Sequence, residues 1–209
     1  IIKSGISHSK IGKLKMVLAQ GKKALSNIQN RILLRNDGNK STFKKIYSYY
    51  FESRAQYIYS EIIKEIDKKD IQKYNNIIIY SYWFYITARV AIELKNNYLK
   101  EAKPYTISRA HGYDINEHVN KLNFLPQREY LLDSLDKIFP VSQNGVDFLK
   151  TKYTNYAGKV ELKRLGTKSY SKNKKNTKDI LHVVSCSTVR KLKRLDLLVD
   201  ALEILKNKG

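Results

Sequence analysis

Apolar side chains recur at Ile11, Leu14, Leu18, Leu25, Ile28 and Ile32, a spacing near three, four and seven that predicts a helix over residues 10–35 with one apolar face. Lys13, Lys15, Lys22, Lys23 and Arg31 fall mostly off that face. The stretch RNDGNKS that follows carries the Asn, Asp and Gly of a turn. From Ser41, a plausible N-cap, a second helix is expected, with Phe43, Ile46, Tyr47, Tyr50 and Phe51 on one side and Ile62 and Ile66 toward its end near Asp67.

The texture changes after Tyr74. NNIIIYSYW (75–83) is apolar, rich in β-formers and too short for a helix, so it predicts a buried strand. A helix over FYITARVAIELKNN, a strand over PYTISRA and a His111-Gly112 corner follow. Next come a helix near PQREYLLDSL with Pro126 in its first turn, a strand at KIFPVS, a helix at GVDFLKTKY and a strand at KVELKRLG. Such alternation predicts an α/β fold with a parallel sheet. Residues 167–179 are polar and Lys-rich, the composition of a linker. The pattern then restarts with a strand at ILHVVSCS and a helix at RLDLLVDALEILK, in which Leu195, Leu198, Val199 and Leu202 share a face. Three parts are therefore expected: a first domain at 1–166, a linker at 167–179, and the opening of a second domain at 180–209.

With 209 residues and 42% hydrophobic content, the chain has material for a sizeable core. It begins at Ile1 and stops just after one amphipathic helix, so it reads as a fragment. The net charge of +21 attracts polyanions. It also has a bland source, because Lys, Asn, Ile and Tyr are all written with A- and T-rich codons. The single cysteine, Cys186, makes no internal disulfide; it reads as a core residue of its strand, and a reducing cytoplasm fits. No run reaches 18 apolar residues.

Ligands of open parallel sheets bind beyond the carboxyl ends of the strands. One such end is Ser108-Arg109-Ala110-His111-Gly112, where Gly112 can supply positive φ or close backbone approach and so aim His111 at a crevice. An ordinary loop histidine beside a turn glycine is the bland alternative. The other end is Ser185-Cys186-Ser187-Thr188, leading to Lys193 and Arg194 at a helix start, where a mobile cation and the helix dipole together suit a phosphate. A solvated basic loop is the alternative there. His111 and His118 are seven apart, unlike the i, i+4 pair of a zinc helix, and no metal is expected. The chain contains no P-loop, no G-x-G-x-x-G and no G-x-S-x-G.

Five ordered blocks carry a resemblance: IIIYSYWFYITARVAIELK, SRAHGYDINEH, YLLDSLDKIFPVSQNGVDFL, VELKRLGT and LHVVSCSTVRKLKRLDLLVDAL. Over about residues 75–206 the chain resembles glycosyltransferases of the group 1, family-four-like type, which have the GT-B fold; residues 1–74 match only loosely. The resemblance implies two facing Rossmann-like domains and sugar transfer, usually retaining and without a metal or other cofactor. The donor is a nucleotide sugar; the acceptor is a glycan or lipid-linked glycan of a bacterial surface polysaccharide or capsule.

It further implies that His111 is the catalytic cleft histidine, with Arg109, Gly112, Asp114 and Gly166 lining the cleft. Lys193 matches the lysine that neutralises the donor diphosphate. Relatives carry an Arg in a GRL run five residues before that lysine, where this chain has Thr188. Either Arg190 or Arg194 substitutes, Arg194 being preferred, or donor binding rests on Lys193 and the helix end. The family's paired glutamates would lie beyond Gly209, so the parent protein is expected to be the enzyme and this piece inactive.

Residues 1–45 hold eleven Lys or Arg against one acid, Asp37. A helix of that kind either packs into a core with a solvated outer face or lies on an anionic membrane, which would make the protein cytoplasmic and peripheral at the inner membrane face. A different class, a basic helical nucleic-acid-binding or adaptor protein without activity, competes on charge alone. It has no RRM, KH or zinc-finger signature, so nucleic acid is not the expected partner.

Overall fold

The structure is a computed structural model; it describes residues 28–37, 41–168 and 182–208, together with Ile11, Leu18, Gly21, Ala24 and Leu25. The chain divides into two compact units, Ile1–Gly166 and Thr167–Gly209. In the first, helices α1 (Ile28–Asn36), α2 (Thr42–Glu65) and α3 (Lys68–Gln72) precede a sheet of three parallel strands. These are β1 (Ile78–Ser81), β2 (Tyr105–Ala110) and β3 (Lys137–Pro140), paired in that order, with Ile79 opposite Thr106 and Ser108 opposite Ile138.

Parallel neighbours need long crossovers, and helices supply them. Helix α4 (Ile86–Glu93), prolonged by a π-turn at Leu94–Tyr98, joins β1 to β2; α5 (Gly112–Ile115) and α6 (Arg128–Ser134) join β2 to β3. Helix α7 (Gln143–Lys152) follows β3. The unit is thus α/β, mostly helical, and compatible with a Rossmann-like unit. Phe51, Phe84, Ile92, Leu132, Ile138 and Leu149 lie in one fully buried cluster that ties α2, α4, α6 and α7 to the sheet.

Several sequence expectations change. The apolar run at 75–83 predicts a buried strand, yet Ile78 and Tyr80 are exposed: β1 forms an edge of the described sheet, and its other face alone, through Ile79, meets the cluster of Ala55, Val90 and Leu94. A short apolar run does not reveal how many of its faces are covered. Pro126 lies ahead of α6 rather than in its first turn, because the N-cap is Gln127, held at φ 54°. The strand expected at 159–166 shrinks to a bridge between Val160 and Ile138, with Glu161 and Lys163 N–H donating to the carbonyls of Ile138 and Pro140 at 3.0 and 3.1 Å.

The largest change concerns the basic N-terminal part. Ile11, Leu18, Leu25 and Ile32 are 70%, 67%, 45% and 52% exposed, whereas Gly21, Ala24 and Asn30 are buried. A Cβ at Gly21 would lie 1.6 Å from Tyr49 Oη. The small and polar residues face inward because they allow close approach to α2 and because Asn30 bonds Arg89 at 3.0 Å. On α2 likewise, Phe43 and Ile46 are exposed and Phe51 alone of the expected stripe is fully buried.

In the second unit, α8 (Leu195–Asn207) forms as its periodicity predicts. The strand expected at 180–187 does not: residues 182–187 lack strand structure and are exposed, and 180–181 lie outside the described residues. A strand exists only through partner strands, and none pairs with this segment among the described residues. Cys186, expected in a core, is accordingly exposed.

Candidate functional site

The segments that follow β1 and β2 meet in an aromatic cluster. After β1, Ser81 Oγ donates to the Trp83 carbonyl at 2.7 Å and pairs with Thr87 Oγ1 at 2.8 Å, which fixes the turn carrying Tyr82 and Trp83. After β2, His111 is the N-cap of α5, in extended backbone. Its imidazole centroid lies 5.0 Å from the Tyr82 ring and 4.4 Å from the indole of Trp83. Both imidazole nitrogens are buried and without a hydrogen-bond partner. A neutral imidazole carries one donor and one acceptor, and buried polar atoms left unpaired are uncommon. The imidazole therefore holds one donor and one acceptor for which the described residues supply no hydrogen-bond partner.

Asp114 is the brace of this cluster. Fully buried, it accepts the N–H of His111 on Oδ1 and that of Phe84 on Oδ2 at 2.8 Å, joining the loops that follow β2 and β1. Its backbone carbonyl accepts from Arg128 Nη2. Burial pushes the Asp114 carboxyl above its usual range, against the pull of the two N–H groups and of the His111 and Arg128 charges. Its Oδ2 lies 3.7 Å from His111 Nδ1. The carboxylate positions His111 from inside the protein, where the sequence had suggested a residue lining the cleft.

Arg109 is half-buried and bridges two segments: Nε donates to Tyr80 Oη at 3.1 Å and Nη1 to the Lys163 carbonyl at 2.7 Å. Gly112 corrects an expectation. It takes no left-handed φ, and a Cβ there would touch only Asn116 Nδ2, at 3.8 Å. Neither backbone freedom nor close approach requires a glycine at that position; His111 is aimed by Asp114 and by the rings of Tyr82 and Trp83. Gly166 is exposed, and a Cβ there would meet nothing within 4 Å. Tyr82 and Trp83 were not picked out as site residues by sequence. An aromatic pair placed directly after a strand was the available signal, read instead as more of the strand.

The second unit holds the remaining residues. Thr188 and Lys193 are exposed, Lys193 in a single 3-10 turn, Lys191–Lys193. Arg194 is the N-cap of α8 in left-handed backbone, φ 47°, with its Nε 3.4 Å from Asp196 Oδ2. No side chain caps α8; the Leu197 N–H bonds the Arg194 carbonyl at 3.1 Å, and Asp196 places a carboxylate in the first turn.

Among the described residues no group of three His, Cys, Asp or Glu could hold a metal ion, and no helix is long and apolar enough to cross a membrane. No protein-family model matches the chain, and neither does any curated protein or solved structure.

Proposed function

We propose that this chain belongs to a GT-B glycosyltransferase that moves a sugar from a nucleotide-sugar donor to a glycan or lipid-linked glycan in surface polysaccharide synthesis. The first unit serves the acceptor side and the second opens the donor side. The observation that carries the reading is His111: an imidazole whose nitrogens make no hydrogen bond, Nδ1 lying 3.7 Å from Asp114 Oδ2, at the carboxyl end of a parallel strand, against Tyr82 and Trp83. Parallel α/β sheets bind ligands at that end. The ordered blocks that resemble the group 1 enzymes bring Lys193 and the uncapped start of α8 into the reading as the diphosphate site.

Lys193 supplies the first test. Hydrogen bonds to charged groups contribute roughly 1.5–3 kcal/mol, about one to two decades in binding. Lys193→Ala is therefore expected to raise the KM for the nucleotide-sugar donor by about ten- to a hundredfold, read as nucleotide released in the presence of acceptor. An unchanged donor KM would remove Lys193 from the site. No nucleotide release from any sugar nucleotide would defeat the transfer reading itself.

Peripheral attachment to anionic membrane is part of the same proposal. Its support is the exposed series Ile11, Leu18, Leu25 and Ile32, spaced by seven in the most basic part of the chain. Leu18 and Leu25 are 67% and 45% exposed and belong to neither described core cluster, so Leu18→Glu with Leu25→Glu leaves those clusters intact. Each buried leucine contributes about 1.5–3 kcal/mol, so the pair is expected to weaken sedimentation with phosphatidylglycerol vesicles by at least roughly a hundredfold. Equal sedimentation of the two proteins would rule the attachment out.

A further inference from the structure

The sheet of the first unit is covered along one edge and open along the other. Beyond β3, Glu161 and Lys163 donate their N–H groups to the carbonyls of Ile138 and Pro140, so that edge has a neighbouring chain segment. β1 pairs with β2 alone. The Tyr105 N–H donates to the Ile77 carbonyl at 2.9 Å and Ile79 stands opposite Thr106, so residues 77, 79 and 81 turn their main-chain groups toward β2. Ile78 and Tyr80 turn theirs the other way. Among the described residues nothing bonds the N–H and carbonyl groups of these two on the open side. Their side chains are 64% and 50% exposed, and Tyr105 beside Ile78 is exposed too, so the edge adjoins an apolar strip on the face the helices leave bare.

An open edge is a template for another strand, and folded proteins blunt it with charge or proline. Residues 74–88 carry neither, in a chain that is 28% charged. β1 is short, four residues, which limits how tightly a neighbour can hold but leaves its outward groups unpaired. Donors and acceptors alternating along a line are satisfied by a strand, not by an ion or a lipid tail. The side chains of β1 offer no charge with which to recognise a charged strand. β1 itself fits. Laid antiparallel on β1 of a second copy about a two-fold axis at Ile79, Ile78 faces the partner's Tyr80 and Tyr80 faces the partner's Ile78. The outward N–H and carbonyl groups of both strands are then all paired, in the exchanged bonds of an antiparallel ladder. Each pair sets an aromatic ring beside a β-branched side chain, a favourable cross-strand match, and no like charges meet. The same rotation brings the helix-covered faces of both sheets to one side. We propose that a second copy of the chain covers this edge, β1 pairing with its counterpart to join two three-stranded sheets into one.

This claim is independent of the transfer reading. Sedimentation equilibrium of the chain over a series of concentrations and salt levels tests it. The mass is expected to rise from one chain to two and stop there, because a two-fold contact closes on itself. Salt is expected to tighten the dimer, because two copies of charge +21 repel each other. Ile78→Pro removes an outward N–H and no bond to β2, and Ile78→Lys sets a cation on the edge. Each is expected to raise the dimer dissociation constant by at least roughly tenfold, with a circular dichroism melt showing that the variant folds. A chain that stays monomeric at every concentration and salt level overturns the proposal. So does a monomer whose Ile78 and Tyr80 amides resist hydrogen exchange, which gives the edge to another segment of the same chain. A dimer that both variants leave unchanged, assembly that continues past two copies, or a dimer that salt dissolves overturns it as well.

Discussion

Arg89→Met is expected to lower the stability of the first unit by about 3–5 kcal/mol, the cost of leaving buried carboxylates without their cation. Arg89 and Glu52 are both fully buried. The guanidinium donates through Nε to Glu52 Oε2 and through Nη2 to Glu52 Oε1, each at 3.0 Å, and through Nη1 to Glu93 Oε2 at 2.5 Å. Asn30 accepts a further bond from Nη2 at 3.0 Å. Gln56 and Gln127 donate to Glu52 at 2.8 and 2.7 Å, so the cluster joins α1, α2, α4 and the loop before α6. Burial works against the charge on Arg89, but Glu52 and Glu93 more than compensate and hold its pKa above the ordinary arginine value. Removing the cation leaves both carboxylates desolvated. Trp83 is the sole tryptophan and lies in this unit, so the urea midpoint followed by its fluorescence reports the loss. The triple change Glu52→Gln, Arg89→Met, Glu93→Gln removes the charges together and is expected to recover most of it. If Arg89→Met alone shifts stability by under about 1 kcal/mol, the cluster does not hold these elements together.

That cluster also marks what the sequence could and could not disclose. The alternation of strand and helix from Ile78 to Lys152 was legible because local periodicity and β-branched runs set it. The inward face of the N-terminal part was not. Its apolar stripe is the stronger signal, but a distant arginine recruits Asn30, and Tyr49 needs the space that Gly21 leaves. Both facts belong to contacts between residues far apart in sequence, which hydrophobic spacing does not record. Over the described residues 182–187 the expected strand is absent for a related reason: the composition is that of a strand, and pairing is supplied by other strands. The place of His111 directly after β2 was legible. The reason for its orientation was misread, because a glycine suggests backbone freedom whereas the work is done by Asp114, three residues on, and by Tyr82 and Trp83 from the neighbouring strand.

Under the proposed transfer function, His111→Ala is expected to reduce transfer by about a hundred- to a thousandfold, the usual cost of deleting one fixed hydrogen-bonding group that acts on developing charge. The residue is held on three sides: its backbone N–H is bound by Asp114, and Tyr82 and Trp83 flank the imidazole. A group so fixed loses little freedom when it engages a ligand, and its uncommitted nitrogens have no internal bond to surrender. If His111 bonds the donor sugar as charge separates from the diphosphate, the loss falls on kcat rather than on KM. His111→Asn keeps one donor and one acceptor at a shorter reach, and recovers part of the rate if hydrogen bonding is the role. Asp114→Asn serves as the positioning control: the amide oxygen can accept only one of the His111 and Phe84 N–H groups, so the change loosens the hold on His111 but leaves the imidazole, and lowers kcat less than His111→Ala while the donor KM stays near its original value. A His111→Ala protein with unaltered kcat and KM would place the chemistry elsewhere. A loss confined to KM would make His111 a binding residue only, because a ring that acts equally on ground state and transition state cannot change the rate of the chemical step.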